Sequence, residues 1–238
     1  MTEKLTHPSG APWRNFYGRR AGKTMNKVLY EYLEEDLDAL SPGPVGWDVN
    51  PDRTPLDIAK RFGGKPIWLE IGFGSGEHLV HQAQQNPDVE FIGCEPFING
   101  VATLLRKVRD AGLKNVSVHP DDARDLFDVL PDHSVSKAFL LYPDPWPKAR
   151  HHRRRFVTED HITPLNRVLA PGSEFRVATD IPDYVRQTLE VVPKCGFEWC
   201  ANRAADWQTP WADWYSTRYE QKALREGRVP HYLTFRRT

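Results

Sequence analysis

The sequence predicts a doubly wound α/β fold around a mostly parallel, seven-stranded sheet, and three observations carry that expectation. From Gly64 onward, short apolar runs of strand length alternate with amphipathic stretches of helix length. A glycine-rich turn, Gly72-Phe73-Gly74-Ser75-Gly76, joins the first run to the first amphipathic stretch. Acids then stand at the ends of successive runs. Strands alternating with helices at this spacing pair in parallel, and ligands of such sheets gather outside the strands' C-terminal ends.

Taken in order, strands are expected at 65–71, 89–95, 116–119, 134–142 and 173–180, with two more near 197–201 and 229–236. Helices are expected at 76–86, 97–111, 123–130 and 158–169, with a further one opened by Asp180-Ile181-Pro182. Ahead of the sheet, Val28, Leu29, Tyr32, Leu33, Leu37 and Leu40 form one helical stripe between residues 24 and 40. The stretch SPGPVGWDVNPDRTP after it is turn material. Residues 1–50 therefore read as a basic flexible arm, a helix and a linker, and 51–238 as the main domain.

Net charge is zero over 238 residues, so bulk charge predicts no polyanionic partner, but its distribution is uneven. Residues 1–30 hold six Lys or Arg against one acid, and residues 31–57 hold eight acids against one Arg. Three cysteines without a CxxC pair fit a reducing compartment. The first residues lack the apolar core of a leader, and no apolar run nears the ~20 residues that span a bilayer. A cytoplasmic protein with no membrane partner is expected.

The glycine turn has GxGxG spacing, with Glu77 where a dinucleotide fingerprint would carry its third glycine. Gly72, Gly74 and Gly76 let the backbone turn tightly and approach a ligand. Glu70 and Glu77 flank them, which disfavours a pyrophosphate. S-adenosylmethionine, which carries an ammonium and a sulfonium and no phosphate, suits such acids. Glu95, ending the second strand, can accept from ribose hydroxyls, and Asp122, after the third, from an adenine amino group. The alternatives are an exposed strand end for Glu95 and a helix cap for Asp121 or Asp122.

After the fourth strand, Pro143-Asp144-Pro145-Trp146-Pro147-Lys148 is stiffened by three prolines. It sets a carboxylate, an aromatic face and a cation beside the donor's methyl group, or forms a rigid turn in which Asp144 bonds locally. Lys148, Arg150, Arg153, Arg154 and Arg155, interleaved with His151 and His152, make a phosphate-binding strip or a solvated helix start. Trp207, Trp211, Trp214, Tyr215 and Tyr219 either close the core or stack on RNA bases. His78 and His81 share a helix face, but no third ligand accompanies them, so no metal site is expected.

With EIGFGSG, the strand-end acids, PDPWPKARHHRRR, ATD and TRYE in that order, the chain resembles bacterial tRNA (guanine-N7-)-methyltransferases from about Arg53 to its end. His152-Arg153 stands where Asn-Lys or a similar pair is expected, and Pro147 occupies a variable position. The resemblance implies a Rossmann-like class I methyltransferase that uses S-adenosylmethionine to methylate N7 of a guanine at position 46 of the tRNA variable loop. It implies that Glu70, Glu95 and Asp122 hold the cofactor and that Asp144 acts at the reacting centre and touches the cofactor. Lys148, Asp180 and Thr217-Arg218-Tyr219-Glu220 would contact the substrate, and Arg150 to Arg155 the RNA. The implied partner is tRNA and not DNA; oligomeric state stays open.

The chemistry is coherent. Guanine N7 carries a lone pair and no proton at neutral pH, so it needs alignment rather than a general base. The ring becomes cationic on methylation, and a preorganised carboxylate stabilises that charge, a role that falls to Asp144. Asp180 or Glu220 could read the N1–H and N2 amino donors of the base, although Asp180 could equally cap the helix after it.

Overall fold

The computed structural model describes residues 14–22, 24, 25 and 27–238. Ahead of the sheet lie two helices, α1 (Lys27–Asp36) and α2 (Ile58–Phe62). The alternating part then runs β1 (Ile67–Ile71), α3 (Glu77–Gln85), β2 (Glu90–Cys94), α4 (Ile98–Asp110), β3 (Val116–His119), α5 (Ala123–Val129) and β4 (Val135–Leu141). A 3₁₀ turn (Ala149–Arg154) leads into α6 (Glu159–Val168), β5 (Leu169–Thr179) and α7 (Pro182–Val191). The chain ends with β6 (Phe197–Trp199), α8 (Ala205–Gln208), α9 (Arg218–Arg225) and β7 (His231–Arg237).

The seven strands form one sheet in the order β3-β2-β1-β4-β5-β7-β6. Pairing is parallel from β3 through β5, and β7 inserts antiparallel between β5 and β6. The order reverses between β1 and β4, so the crevice outside their C-terminal ends is the natural ligand site. β1 and β2 are buried along nearly their whole length because helices cover both faces, which is why they read as unbroken apolar runs.

Along β4 the side chains alternate between faces. Ala138 and Leu140 join the core under α5, α6 and α7, whereas Phe139 and Leu141 pack with Ala178, Tyr232, Trp211 and Trp214. The predicted stripe is used in part: Tyr32 and Leu33 of α1, with Leu37 and Leu40 in the turn after it, pack on the core beneath α4, whereas Val28 is exposed. Arg109 of α4 returns the contact, bonding Glu35 at 2.9 Å and lying over the Tyr32 ring.

The described part of the N-terminal arm lies against the domain. Residues 1–13 and 23 of the expected flexible segment lie outside the described residues, but 14–22 are tied to the domain. Arg14 bonds Asp125 and Asp128 of α5 at 2.6 and 2.7 Å, and Arg20 bonds Asp121 at 2.9 Å. The backbone N–H of Gly22 donates to Asn99, and the carbonyl of Arg20 accepts from Ile98. Arg14 and Arg20 of the basic arm are thus consumed by acids of α5 and of the loop before it. Among the described residues, no helix is long and apolar enough to cross a membrane.

α2, α8 and α9 were not expected from the sequence. α9 buries only Glu220 and Ala223 and so carries no apolar stripe. The available signal was Thr217-x-x-Glu220, which has capping-box spacing, and Thr217 Oγ1 does accept the Glu220 N–H at 3.2 Å.

One close approach sets the geometry of the glycine turn. A Cβ built on Gly100, in the first turn of α4, would lie 2.1 Å from the carbonyl O of Gly74. Backbone cannot yield that much, so Gly100→Ala should cost about 1–3 kcal/mol by overpacking. A lower urea midpoint at unchanged slope would show this; an unchanged midpoint would mean that helix and turn are not in register here.

Candidate active site

The C-terminal ends of β1 to β4 open onto one cavity of about 970 Å³. Its walls include Gly72 and Gly74 after β1, Glu95 after β2, Asp121 and Asp122 after β3, and Tyr142, Asp144 and Trp146 after β4. The arm closes a further side with Arg14, Phe16 and Tyr17. Gly72, Gly74, Glu95, Asp122 and Asp144 thus stand together at the strand ends.

Gly74 takes φ +59°, and Gly72 and Gly76 are also left-handed. A side chain at Gly74 would meet the Tyr219 ring at 3.2 Å, so glycine there serves both conformation and space. Glu95 is buried and turns its carboxylate back onto this loop, accepting the Gly74 N–H at 2.8 Å and the Phe97 N–H at 2.9 Å. Burial raises its pKa above the usual carboxylate value, its two backbone donors oppose the shift, and the charge of Asp144 adds to it.

Asp122 fills the capping alternative: it accepts the Arg124 N–H at 2.9 Å at the start of α5 while still lining the cavity. Burial pushes its carboxyl up, but the Arg124 guanidinium, bonded through Nε at 2.9 Å, outweighs burial and holds it below the usual range. Glu70 does not line the cavity. It lies one layer beneath, 4% exposed, with its carboxylate 2.7 Å from Nδ1 of buried His78. That pair and the stacking of His81 on Tyr215 account for the two histidines of α3. Among the described residues no His, Cys, Asp or Glu cluster has metal-holding geometry.

Asp144 has no hydrogen bond or ion pair among the described residues. Its surface is exposed because the cavity is open, yet the surrounding walls thin its hydration and desolvation raises its pKa. Of the carboxylates that line this pocket, Glu95 and Asp144 are the two that desolvation raises, and a cation beside them would relieve that cost. The loop that carries Asp144 is bracketed by two non-glycine residues in the left-handed region, Tyr142 at φ +50° and Trp146 at φ +40°.

The basic strip divides. Lys148, Arg150 and Arg153 are exposed, and His151 and His152 are half-buried. His152 lies 3.1 Å from Asp183. Desolvation and the surrounding arginines and lysine hold His151 below its ordinary pKa. Arg154 lines the cavity with its guanidinium between the rings of Tyr17, at 4.9 Å, and Trp146, at 5.0 Å.

Arg155 corrects the expectation of an RNA contact. It is 1% exposed and donates to the Pro145 carbonyl at 2.7 Å, to Asp183 at 2.7 Å and to Gln187 at 2.8 Å. A guanidinium whose partners are all internal cannot reach a phosphate without leaving them.

Asp180 is not a helix cap: Ile181 takes that place with no side-chain cap, and Asp180 pairs with Arg228. In TRYE the residues point two ways. Arg218 lies over the Tyr219 ring at 5.0 Å, and Tyr219 is 45% exposed at the cavity wall. Glu220 is 3% exposed and accepts from Trp214 Nε1 at 2.9 Å, from Tyr232 Oη and from Tyr142 Oη at 3.3 Å. Trp211 and Trp214 are half-buried against Tyr232, so they close the core, while Tyr215 stays exposed.

Several solved structures share this fold at low identity. The 16S rRNA methyltransferase KamB superposes with a TM-score of 0.53 at 16% identity, over 73% of this chain and 88% of its own. A SAM-dependent methyltransferase from Aquifex aeolicus gives 0.51 at 15%, over 76% and 88%. The profile of a family described as "Putative methyltransferase" matches residues 64–233. Together with the glycine turn and the strand order, these place the chain in the class of Rossmann-like methyltransferases.

Nearer relatives narrow the class. The tRNA (guanine-N(7)-)-methyltransferase of Jannaschia sp. is 71% identical over 97% of both chains, and that of Agrobacterium fabrum 45% identical over 92% of this chain and 94% of its own. The chain belongs to the tRNA (guanine-N(7)-)-methyltransferase family.

The raised pKa values of Glu95 and Asp144 set a pH prediction. Each folded value lies above the unfolded one, so the protonated folded form is favoured and stability falls as pH climbs from the ordinary carboxylate range through the raised values. Without ligand, Asp144→Asn should melt higher than the parent at neutral pH and no differently at pH 3. Calorimetric melting at both values checks this; a lower neutral melting temperature would mean that the charge of Asp144 is satisfied inside the fold.

Proposed function

We propose that the chain transfers the methyl group of S-adenosylmethionine to N7 of a guanine in tRNA, at position 46 of the variable loop, and acts in the cytoplasm. The observation that carries this reading is Asp144, an unpaired carboxylate beside Glu95 in a cavity at the strand ends. A pocket with two carboxylates raised by desolvation suits a cationic donor and opposes a phosphate-bearing one. The names of the close relatives support the reaction and the RNA.

In this reading Gly72, Gly74 and Gly76 shape the cradle, Glu95 accepts from the ribose, and Asp122 with the first turn of α5 meets the adenine edge. Glu70 supports the cradle from beneath through His78. When bound, the cofactor supplies an electrophilic methyl group. Asp144 aligns the guanine and stabilises the positive charge that develops on its ring as N7 attacks; it takes no proton. Exposed Lys148, Arg150 and Arg153 would hold phosphates, with Tyr219 and Arg218 at the rim for the target nucleotide.

Methyl-labelled S-adenosylmethionine with unmodified bulk tRNA, followed by nucleoside analysis, tests the reaction. Label should appear in 7-methylguanosine; label in an exocyclic amine of adenine or guanine would overturn the choice of atom. Asp144→Ala should lower turnover at least about 100-fold while tRNA affinity stays within about 3-fold. Changing Arg150 and Arg153 together to Ala should flatten the salt dependence of tRNA binding by about one unit of slope per lost phosphate contact. An unchanged slope would place the RNA on another face.

A further inference from the structure

Two residues that sequence reasoning assigns to RNA or base contacts instead converge on the loop that carries Asp144. On its C-terminal side, buried Arg155 donates Nε to the carbonyl O of Pro145 at 2.7 Å, with Nη2 3.5 Å from that of Trp146. Its other bonds run to Asp183 and Gln187 of α7, and it packs over the Tyr184 ring at 5.2 Å. On the N-terminal side, Tyr142 donates its N–H to Ala178 of β5 at 2.7 Å and its hydroxyl to Glu220 at 3.3 Å. Glu220 is itself fixed by Trp214 and Tyr232, and its N–H by Thr217.

The left-handed turns at Tyr142 and Trp146 stand at the two ends of Pro143-Asp144-Pro145. Non-glycine residues persist in that region only where their surroundings over-determine them. The two buried charges supply that constraint, one at each strained end. Glu220 has no free face toward the cavity: it is 3% exposed and does not line it, whereas Tyr142 does.

We infer that Asp144 is held by a two-sided clamp, with Glu220 acting through Tyr142 on one side and Arg155 on the other, so that both charges are positioning residues and neither contacts the RNA. The inference rests on the methyl-transfer reading above. Loss of the clamp lets the Asp144 loop relax toward unstrained backbone. This costs rate at saturating substrates and leaves RNA affinity in place, because the exposed cations that face solvent are untouched.

The test is a double-mutant cycle of Tyr142→Phe and Glu220→Gln in the full chain, read by single-turnover methyl transfer and by tRNA binding. Each variant should slow transfer about 10-fold or more, the size expected for losing one hydrogen bond to a charged group. The double variant should be no slower than Glu220→Gln, since both cut the same tie. tRNA affinity should stay within about 2-fold throughout.

Glu220→Gln that weakens tRNA binding about 10-fold, with Tyr142→Phe transferring at the parent rate, would overturn the clamp and return Glu220 to the RNA. If Glu220→Gln does not fold, Tyr142→Phe decides alone, because it removes one hydroxyl and keeps the ring. A parent protein inactive on every tRNA would defeat the methyl-transfer reading instead. Amide exchange over residues 141–149 would then still judge the clamp, with faster exchange in Tyr142→Phe supporting it and unchanged exchange overturning it.

Discussion

The site depends on keeping a carboxylate charged inside a partly dry cavity where, among the described residues, no cation pairs with it. Asp144 is such a group, held above the usual carboxylate range by desolvation, and its charge adds to the raised pKa of Glu95 nearby. Arginines are at hand, yet they are engaged elsewhere. Arg124 is bound to Asp122, Arg14 to Asp125 and Asp128, and Arg154 lies against the rings of Tyr17 and Trp146. This arrangement leaves a local negative potential where the charge of the donor and of the methylated ring would lie. It costs stability in the empty protein, as stored electrostatic strain at functional sites commonly does.

The rest of the fold serves to hold that potential in place. The parallel strands bring Glu95, Asp122 and Asp144 to one edge of the sheet, and the seat of Gly100 on Gly74 fixes how closely α4 and the glycine turn approach. The arm then walls one side. Its anchors are two ion pairs of half-buried groups at Arg14 and an exposed one at Arg20, modest individually, but acting together on one short segment.

Much of this was legible in the sequence because it is local. Strands buried on both faces announce themselves as apolar runs, and the glycine turn and strand-end acids follow from position in the alternation. What failed to show depends on partners distant in the chain. Arg155 sits in a run of cations and reads as solvated with its neighbours; only Asp183 and Gln187, from a later helix, draw it inside. Glu220 reads as a contact to the substrate base, and the aromatic donors that bury it come from the loop after β4, from β7 and from the Trp214 segment. The arm reads as flexible because its composition is polar, and composition carries no trace of the acids on α5 that pin Arg14. The α9 helix has no apolar stripe, so periodicity is silent where a cap speaks.

The central claim is that the unpaired charge of Asp144 recognises positive charge in the donor. Calorimetric binding of S-adenosylmethionine and of its product S-adenosylhomocysteine, which lacks the sulfonium charge, to the parent and to Asp144→Asn, tests it most directly. The account predicts that Asp144→Asn weakens the sulfonium donor by about 10-fold or more and the thioether product far less, because only one carries charge at the reacting atom. Equal losses for the two ligands would contradict it and reduce Asp144 to a hydrogen-bonding or structural group.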